Sequence, residues 1–272
     1  MGDVICNGIR LSYEDSGDGE PVVLIAGTGM PPIVWYLGLA QALLGAGYRV
    51  VTFANRGIEP SDAPPAPYTV EEMAKDTAAL IETLDLGHCH LVGFSMGGFV
   101  AEELCYRRGD LVRDVVLMAS AGRPSSLQKV WVQAEVDLAT ALDPAPTSQS
   151  VRDLLVFLQP FGALQDDALI EPMRMMFEAS PPWTNPGRLG QWSADLAWIN
   201  DEQRTSRWSQ VTHPCLAIGF EHDIAWPPDR AREATSVMPN GRIVEIAGAA
   251  HGGFLTHCDD VSKAIIGFWA RD

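Results

Sequence analysis

The sequence predicts an α/β fold: a mostly parallel, doubly wound sheet with a helical cap inserted after the sixth strand. Three observations carry that prediction. Short, continuous apolar runs recur along the chain, helical patterns separate them, and one long central stretch lacks strand-like sequence altogether. Apolar runs of this length suit strands covered on both faces, as in a parallel sheet.

Taken in order, polar, strand-like sequence follows Met1. The apolar runs are then Pro21 to Ala26, Arg49 to Phe53, Cys89 to Phe94 and Val115 to Ala119. Between the second and third, Thr69-Val70-Glu71-Glu72 reads as a capping box with Thr69 as N-cap. Val70, Met73, Thr77, Leu80, Ile81 and Leu84 follow at helical spacing as one buried stripe, and Gly87 is the expected stop. Phe99 to Arg107 continues as a second helix. Strands alternating with helices imply right-handed crossovers. After Gly122 the alternation breaks. Prolines 144, 146, 160, 172, 181, 182 and 186 divide a helical stretch that lasts to about Val211. Strand-like sequence resumes at Cys215 to Phe220 and Arg242 to Ile246, and Asp260 to Trp269 reads as a closing amphipathic helix. Residues 1–122 and 213–272 are thus expected to form the core, and residues 123–212 the cap.

Composition bounds the partners. With 272 residues, 47% of them apolar, the chain can bury a single large core without a disulfide or metal staple. The formal net charge of -16 leaves no basic surplus for nucleic acid or anionic membranes. No apolar run approaches the ~20 residues a membrane helix needs, and the start shows no signal-peptide pattern. Cys6, Cys89, Cys105, Cys215 and Cys258 are scattered and odd in number, which points to buried free thiols and a cytoplasmic setting.

The chemistry concentrates at Gly93-Phe94-Ser95-Met96-Gly97-Gly98, a G-x-S-x-G turn between a strand run and a helical run. Flanking glycines leave room for a strand that turns at once into a helix, lifting the Ser95 hydroxyl out at the sheet edge. The Met96 N–H then lies at a helix N-terminus, where an unpaired donor and the dipole favour an oxyanion. Thr28, in the glycine turn after the first apolar run, is the expected second donor. Serine needs a base. His251, in Gly248-Ala249-Ala250-His251-Gly252-Gly253 past the last strand run, has small neighbours that allow close approach. His88, His90 and His213 fall at the wrong strand ends. His222 adjoins the expected acid, and His257 lies near the last helix. Asp223, 251 − 223 = 28 residues earlier, follows another strand run and is the expected orienting acid. Glu221 is its rival. The only close histidine pair, His88-x-His90, gives no metal site.

With these residues the sequence resembles the α/β-hydrolase superfamily over nearly its whole length, the cap excepted, and within it the small, cap-bearing bacterial esterases, lactonases and perhydrolases. Asn55 to Asp62 resembles the loop after the second long strand, and Gly219 to Asp223 with Pro228 resembles the acid loop. The resemblance implies an α/β-hydrolase fold and a cofactor-free, metal-free serine hydrolase. Its triad would be Ser95, His251 and Asp223, with Thr28 and Met96 as oxyanion donors. Its substrate would be a small, largely apolar ester, lactone or thioester. C–C bond hydrolysis, perhydrolysis, a cofactor-free lyase or cyclase step, and a ligand-binding receptor stay open as other uses of the fold. Ala26, Ala54 and Glu59 depart from the family pattern and are expected to reshape loops near the oxyanion site. In the cap, Trp131, Trp183, Trp192, Trp198 and Trp208 with Met173, Met175, Met176 and Phe177 read either as a lid over an apolar substrate or as the packing of a thin helical layer. Trp226 is a candidate for the entrance.

Overall fold

The structure, a computed structural model, describes residues 1–270 and holds one eight-stranded sheet. Strands β1 (Gly2–Cys6) and β2 (Ile9–Ser16) pair antiparallel, and β2 joins β4 (Arg49–Phe53) in the same sense. The others run parallel: β3 (Pro21–Ile25), β5 (Cys89–Phe94), β6 (Val112–Met118), β7 (Cys215–Phe220) and β8 (Gly241–Ile246). Their spatial order is β1-β2-β4-β3-β5-β6-β7-β8. Side-chain alternation divides each strand between two buried layers. Val23, Ile25, Leu91 and Leu117 face α2 (Val70–Thr83) and α3 (Met96–Arg107), while Val22, Leu24, Val92 and Met118 face α1 (Leu39–Gly45) and α11 (Cys258–Trp269). Both faces are covered, so the strands read as continuous apolar runs.

Helices α4 (Ser126–Ala141), α5 (Thr147–Leu158), α6 (Asp167–Ala179), α7 (Gly187–Ile199) and α8 (Arg204–Arg207) fill the chain between β6 and β7. Helices α9 (Pro228–Thr235) and α10 (Gly253–Thr256) complete the set. The Thr69 capping box forms as expected, with the Glu72 N–H donating to Thr69 Oγ1 and the Thr69 N–H to Glu72 Oε2. Several boundaries move for physical reasons. Helix α2 stops at Thr83, before Gly87, because Asp85 and Gly87 both take positive φ in the turn that follows. Helix α3 begins at Met96, ahead of Phe99, since glycines at 97 and 98 blank the apolar pattern over its first turn. Strand β6 begins three residues before its apolar run because Asp114, though charged, is buried and bound to His90 and Trp269.

Two tryptophans of the inserted stretch pack with residues of the core around one buried guanidinium. Trp198, Trp208 and Trp226, together with Phe99, surround the Arg204 guanidinium at 5.3–5.8 Å. Arg204 bonds Glu102 at 2.7 Å and the Gly122 carbonyl at 2.7 Å, pinning the end of the inserted stretch to the core. Trp226, at 3% exposure, packs against Phe99 and Arg204. Met175 and Met176 are exposed on α6 and lie outside the buried core.

Candidate active site

Strand β3 lies between β4 and β5, so the chain leaves it in opposite directions on its two sides. Such a switch point opens a crevice at the carboxyl ends of the strands. The loops after β3, β5, β7 and β8 all meet there.

Ser95 follows β5 directly and takes φ 52°, ψ −121°, a conformation L-residues rarely adopt. Crowding around the turn holds it. A Cβ on Gly93 would lie 2.3 Å from the Gly97 carbonyl oxygen, and one on Gly97 would lie 2.0 Å from the Ile25 carbonyl oxygen. The Ser95 N–H donates to the Met118 carbonyl at 2.9 Å, and the Ser95 carbonyl accepts from the Gly98 N–H at 2.8 Å. Met96 is the first residue of α3, so its N–H has no partner within the helix. Across the crevice, residues 27–30 form a turn closed by the Met30 N–H donating to the Gly27 carbonyl. Gly27 packs so tightly on the elbow that a Cβ there would sit 3.2 Å from Ser95 Cβ. Thr28 follows it, in the middle of the turn, where the turn's own hydrogen bond leaves the N–H unused.

His251 and Asp223 stand together. His251 Nδ1 lies 2.7 Å from Asp223 Oδ2, and both side chains are buried. The second carboxylate oxygen, Oδ1, accepts from the Ala225 and Trp226 N–H groups at 2.8 and 2.9 Å, which fixes the carboxylate plane. A hydrogen bond from the His222 N–H to the Ala249 carbonyl ties the acid loop to the histidine loop. Asp223 can only accept from Nδ1–H when ionised, so the neutral ring carries its lone pair on Nε2. Nε2 is buried and makes no hydrogen bond, to Ser95 Oγ or to any other described atom. The ring is held between Phe94, the residue before Ser95, at 4.9 Å and Phe157 of α5 at 4.0 Å. Glu221, the rival acid, is exposed and accepts instead from the Gly248 N–H.

The other histidines take no part. His90 forms a separate buried pair with Asp114 at the opposite end of β5. The cysteine thiols are free, and burial pushes Cys89 up to about 12, which keeps it protonated and unreactive. Three residues near the crevice escaped the sequence reading. Phe157 covers His251. Gln191 Oε1 accepts from the Gly29 N–H at 2.8 Å, and Asp195 Oδ2 accepts from Thr28 Oγ1 at 2.5 Å. Gln191 and Asp195 lie four apart on α7, a spacing that places two polar groups on one helix face.

A sheet of this order, with a serine elbow after β5 and a histidine–aspartate pair after β8 and β7, defines the α/β-hydrolase fold. The sequence pattern of the alpha/beta hydrolase family matches residues 22–264, and the chain belongs to that family. It is similar to a candidate non-heme bromoperoxidase, BpoC, of Mycobacterium tuberculosis, with 36% identity over 96% of this chain and 98% of that one. The crystal structure of that protein superposes with a TM-score of 0.89 over 96% of each chain. It is also similar to a candidate non-heme chloroperoxidase of Synechocystis, at 41% identity over 96% of this chain and 95% of the relative. A candidate carbamate hydrolase, RutD, of Variovorax paradoxus is 34% identical over 96% of each chain. Among the described residues, no helix is long and apolar enough to cross a membrane.

Proposed function

We propose that this enzyme cleaves an acyl bond through an acyl-Ser95 intermediate. His251 Nε2 takes the proton of Ser95 Oγ as the oxygen attacks the substrate carbonyl carbon. Asp223 holds the ring tautomer and stabilises the imidazolium. The N–H groups of Thr28 and Met96 receive the oxyanion. The leaving group departs with the proton from His251, and water deprotonated by the same nitrogen then releases the acid and restores Ser95. The observation that carries this reading is the buried Asp223–His251 pair, whose free Nε2 belongs to a ring packed on the residue before Ser95. The rings of Phe94 and Phe157 beside that nitrogen favour an ester, lactone or thioester with an apolar acyl part.

Two relatives named as haloperoxidases favour a second use of the same intermediate. Hydrogen peroxide would replace water in the second half-reaction, giving a peracid and free Ser95. Labelling with a fluorophosphonate, located by peptide mass spectrometry, tests both readings at once. Adduct on Ser95, and loss of ester hydrolysis in Ser95→Ala, support acyl transfer. Unlabelled Ser95, or full turnover by Ser95→Ala, overturns it. Peracid formation from an acyl ester and peroxide then ranks the two acceptors.

A further inference from the structure

We propose that Asp195 is a positioning residue for the oxyanion loop, so that the acyl-transfer site is complete only when helix α7 is seated on residues 27–30. The inference rests on the acyl-serine reading and adds to it a role for the inserted helices.

Residues 27–30 have little of their own to hold them. Two of the four are glycine, Gly29 takes φ +69°, and one internal hydrogen bond closes the turn. The polar groups that hold the middle of the turn come from α7, while the Trp183 ring packs on Gly29. Asp195 holds the Thr28 hydroxyl, and Gln191 holds the next N–H along, that of Gly29. Gln191 is itself anchored, because its Nε2 donates to the Arg56 carbonyl at 2.8 Å. The start of α7 approaches the 55–62 loop so closely that a Cβ on Gly187 would lie 2.1 Å from the Gly57 carbonyl oxygen. Trp183 Nε1 donates to that same oxygen at 3.0 Å. The helix is thus fastened at one end to a rigid loop and presents two acceptors to a pliable one. The Thr28 N–H is covalently tied to both held groups, one through its own side chain and one through the following peptide. The elbow leaves no room for a Cβ on Gly27, which would sit 3.2 Å from Ser95 Cβ, so a displaced turn is felt at the nucleophile.

The Asp195 carboxyl is buried, and Thr28 is its one hydrogen-bond partner among the described residues, since Oδ1 has none. Leaving half a buried carboxyl unpartnered costs stability, and no helix-packing need calls for an acid there. Fixing a hydroxyl beside the oxyanion donor gives the residue a use. Burial also pushes Asp195 up to about 7, so a neutral amide is a close replacement.

The test compares Asp195→Ala, Asp195→Asn, Thr28→Val and Thr28→Ser with the parent enzyme. It uses p-nitrophenyl acetate turnover and hydrogen–deuterium exchange of peptides spanning residues 26–31. Asp195→Asn and Thr28→Ser keep the bond; Asp195→Ala and Thr28→Val lose it. The bond-losing variants should lower kcat about 10–100-fold with KM within about two-fold, less than the 10²–10³ seen when a donor is removed outright. The Asp195→Ala/Thr28→Val double variant should be no worse than the poorer single one, because one shared bond is lost once. Asp195→Asn should stay within about three-fold of the parent, and exchange of 26–31 should rise in Asp195→Ala and Thr28→Val but not in Asp195→Asn or Thr28→Ser. Unchanged kcat and unchanged exchange in Asp195→Ala would overturn the proposal. So would equal loss in Asp195→Asn, or a uniform rise in KM. If Ser95→Ala keeps full turnover, the acyl-serine reading fails, and the exchange measurement still decides whether Asp195 holds the loop.

Discussion

Replacing Asp223 by asparagine should abolish turnover while leaving the fold intact, and the geometry says why. Asp223 Oδ1 accepts two backbone N–H groups, from Ala225 and Trp226. An amide nitrogen in that place would face two donors, so the asparagine oxygen must occupy it. The amide NH2 then takes the place of Oδ2, 2.7 Å from His251 Nδ1, and donates to it. Nδ1 becomes an acceptor, the ring proton moves to Nε2, and Nε2 can no longer take the serine proton. The same tautomer reversal in serine proteases lowers kcat about 10⁴-fold, equivalent to about 5 kcal/mol of barrier. Steady-state hydrolysis of p-nitrophenyl acetate gives the loss, and the rate of fluorophosphonate labelling isolates the serine step. Thermal unfolding should shift little, because both backbone donors stay satisfied. Asp223→Ala, in contrast, orphans two buried N–H groups and should lower stability by roughly 1–3 kcal/mol for each. An Asp223→Asn enzyme within ten-fold of the parent would refute the assigned tautomer and with it the role of Nε2.

Three further outcomes follow from local geometry. Gly97→Ala should destabilise the protein by more than about 3 kcal/mol in urea unfolding, since the new Cβ would sit 2.0 Å from the backbone carbonyl of Ile25; near-parental stability would show that the elbow is slack. Arg204→Met should cost about 3–5 kcal/mol by leaving the buried Glu102 carboxylate unpaired. Adding Glu102→Gln should restore most of that, and no recovery would mean that Arg204 matters through its aromatic contacts. Asp195 gives a pH signature. Its folded value of about 7 lies above that of an unfolded aspartate, so the unfolded chain sheds this proton first as pH rises. Stability from this group is therefore full below about pH 4 and is lost progressively up to about pH 7, by up to about 4 kcal/mol. Asp195→Asn should gain in Tm relative to the parent across that window, and a constant difference would contradict the raised value.

What could be read in the sequence is what local chain chemistry determines. Strands β4, β5 and β7 fall where their apolar runs do, because strands buried on both faces leave an unbroken signal. The hairpin of β1 and β2 carries its own mark in Asn7-Gly8, both at positive φ, but its alternating polar residues hide the strands from a search for apolar runs. Ser95, Asp223 and His251 could be picked out as candidates because each sits within five residues of a strand's carboxyl end, where glycines and short loops leave few places to go. Phe157, Gln191 and Asp195 could not. Each acts on a residue 94 to 167 positions away, and nothing in the flanking sequence says which loop a helix of the inserted stretch will meet.

That difference has a physical root. The groups proposed for the chemistry belong to the sheet edge, where close backbone packing at Gly27, Gly93 and Gly97 leaves Ser95 little freedom. The groups from the inserted stretch reach the same place mainly through side chains: a ring on His251, a hydroxyl bond on Thr28, an amide bond on Gly29 and the Trp183 ring packed on it, with one backbone bond from the Gly252 N–H to the Leu158 carbonyl. Contacts of that kind are individually worth about 1 kcal/mol. The groups proposed for the chemistry are thus held by the core's own packing, and the inserted helices add to that hold loop by loop. On the acyl-transfer reading proposed above, such a division lets one centre serve different substrates through the helices beside it. Relatives at 34–41% identity that carry the names of a haloperoxidase and a carbamate hydrolase fit that division.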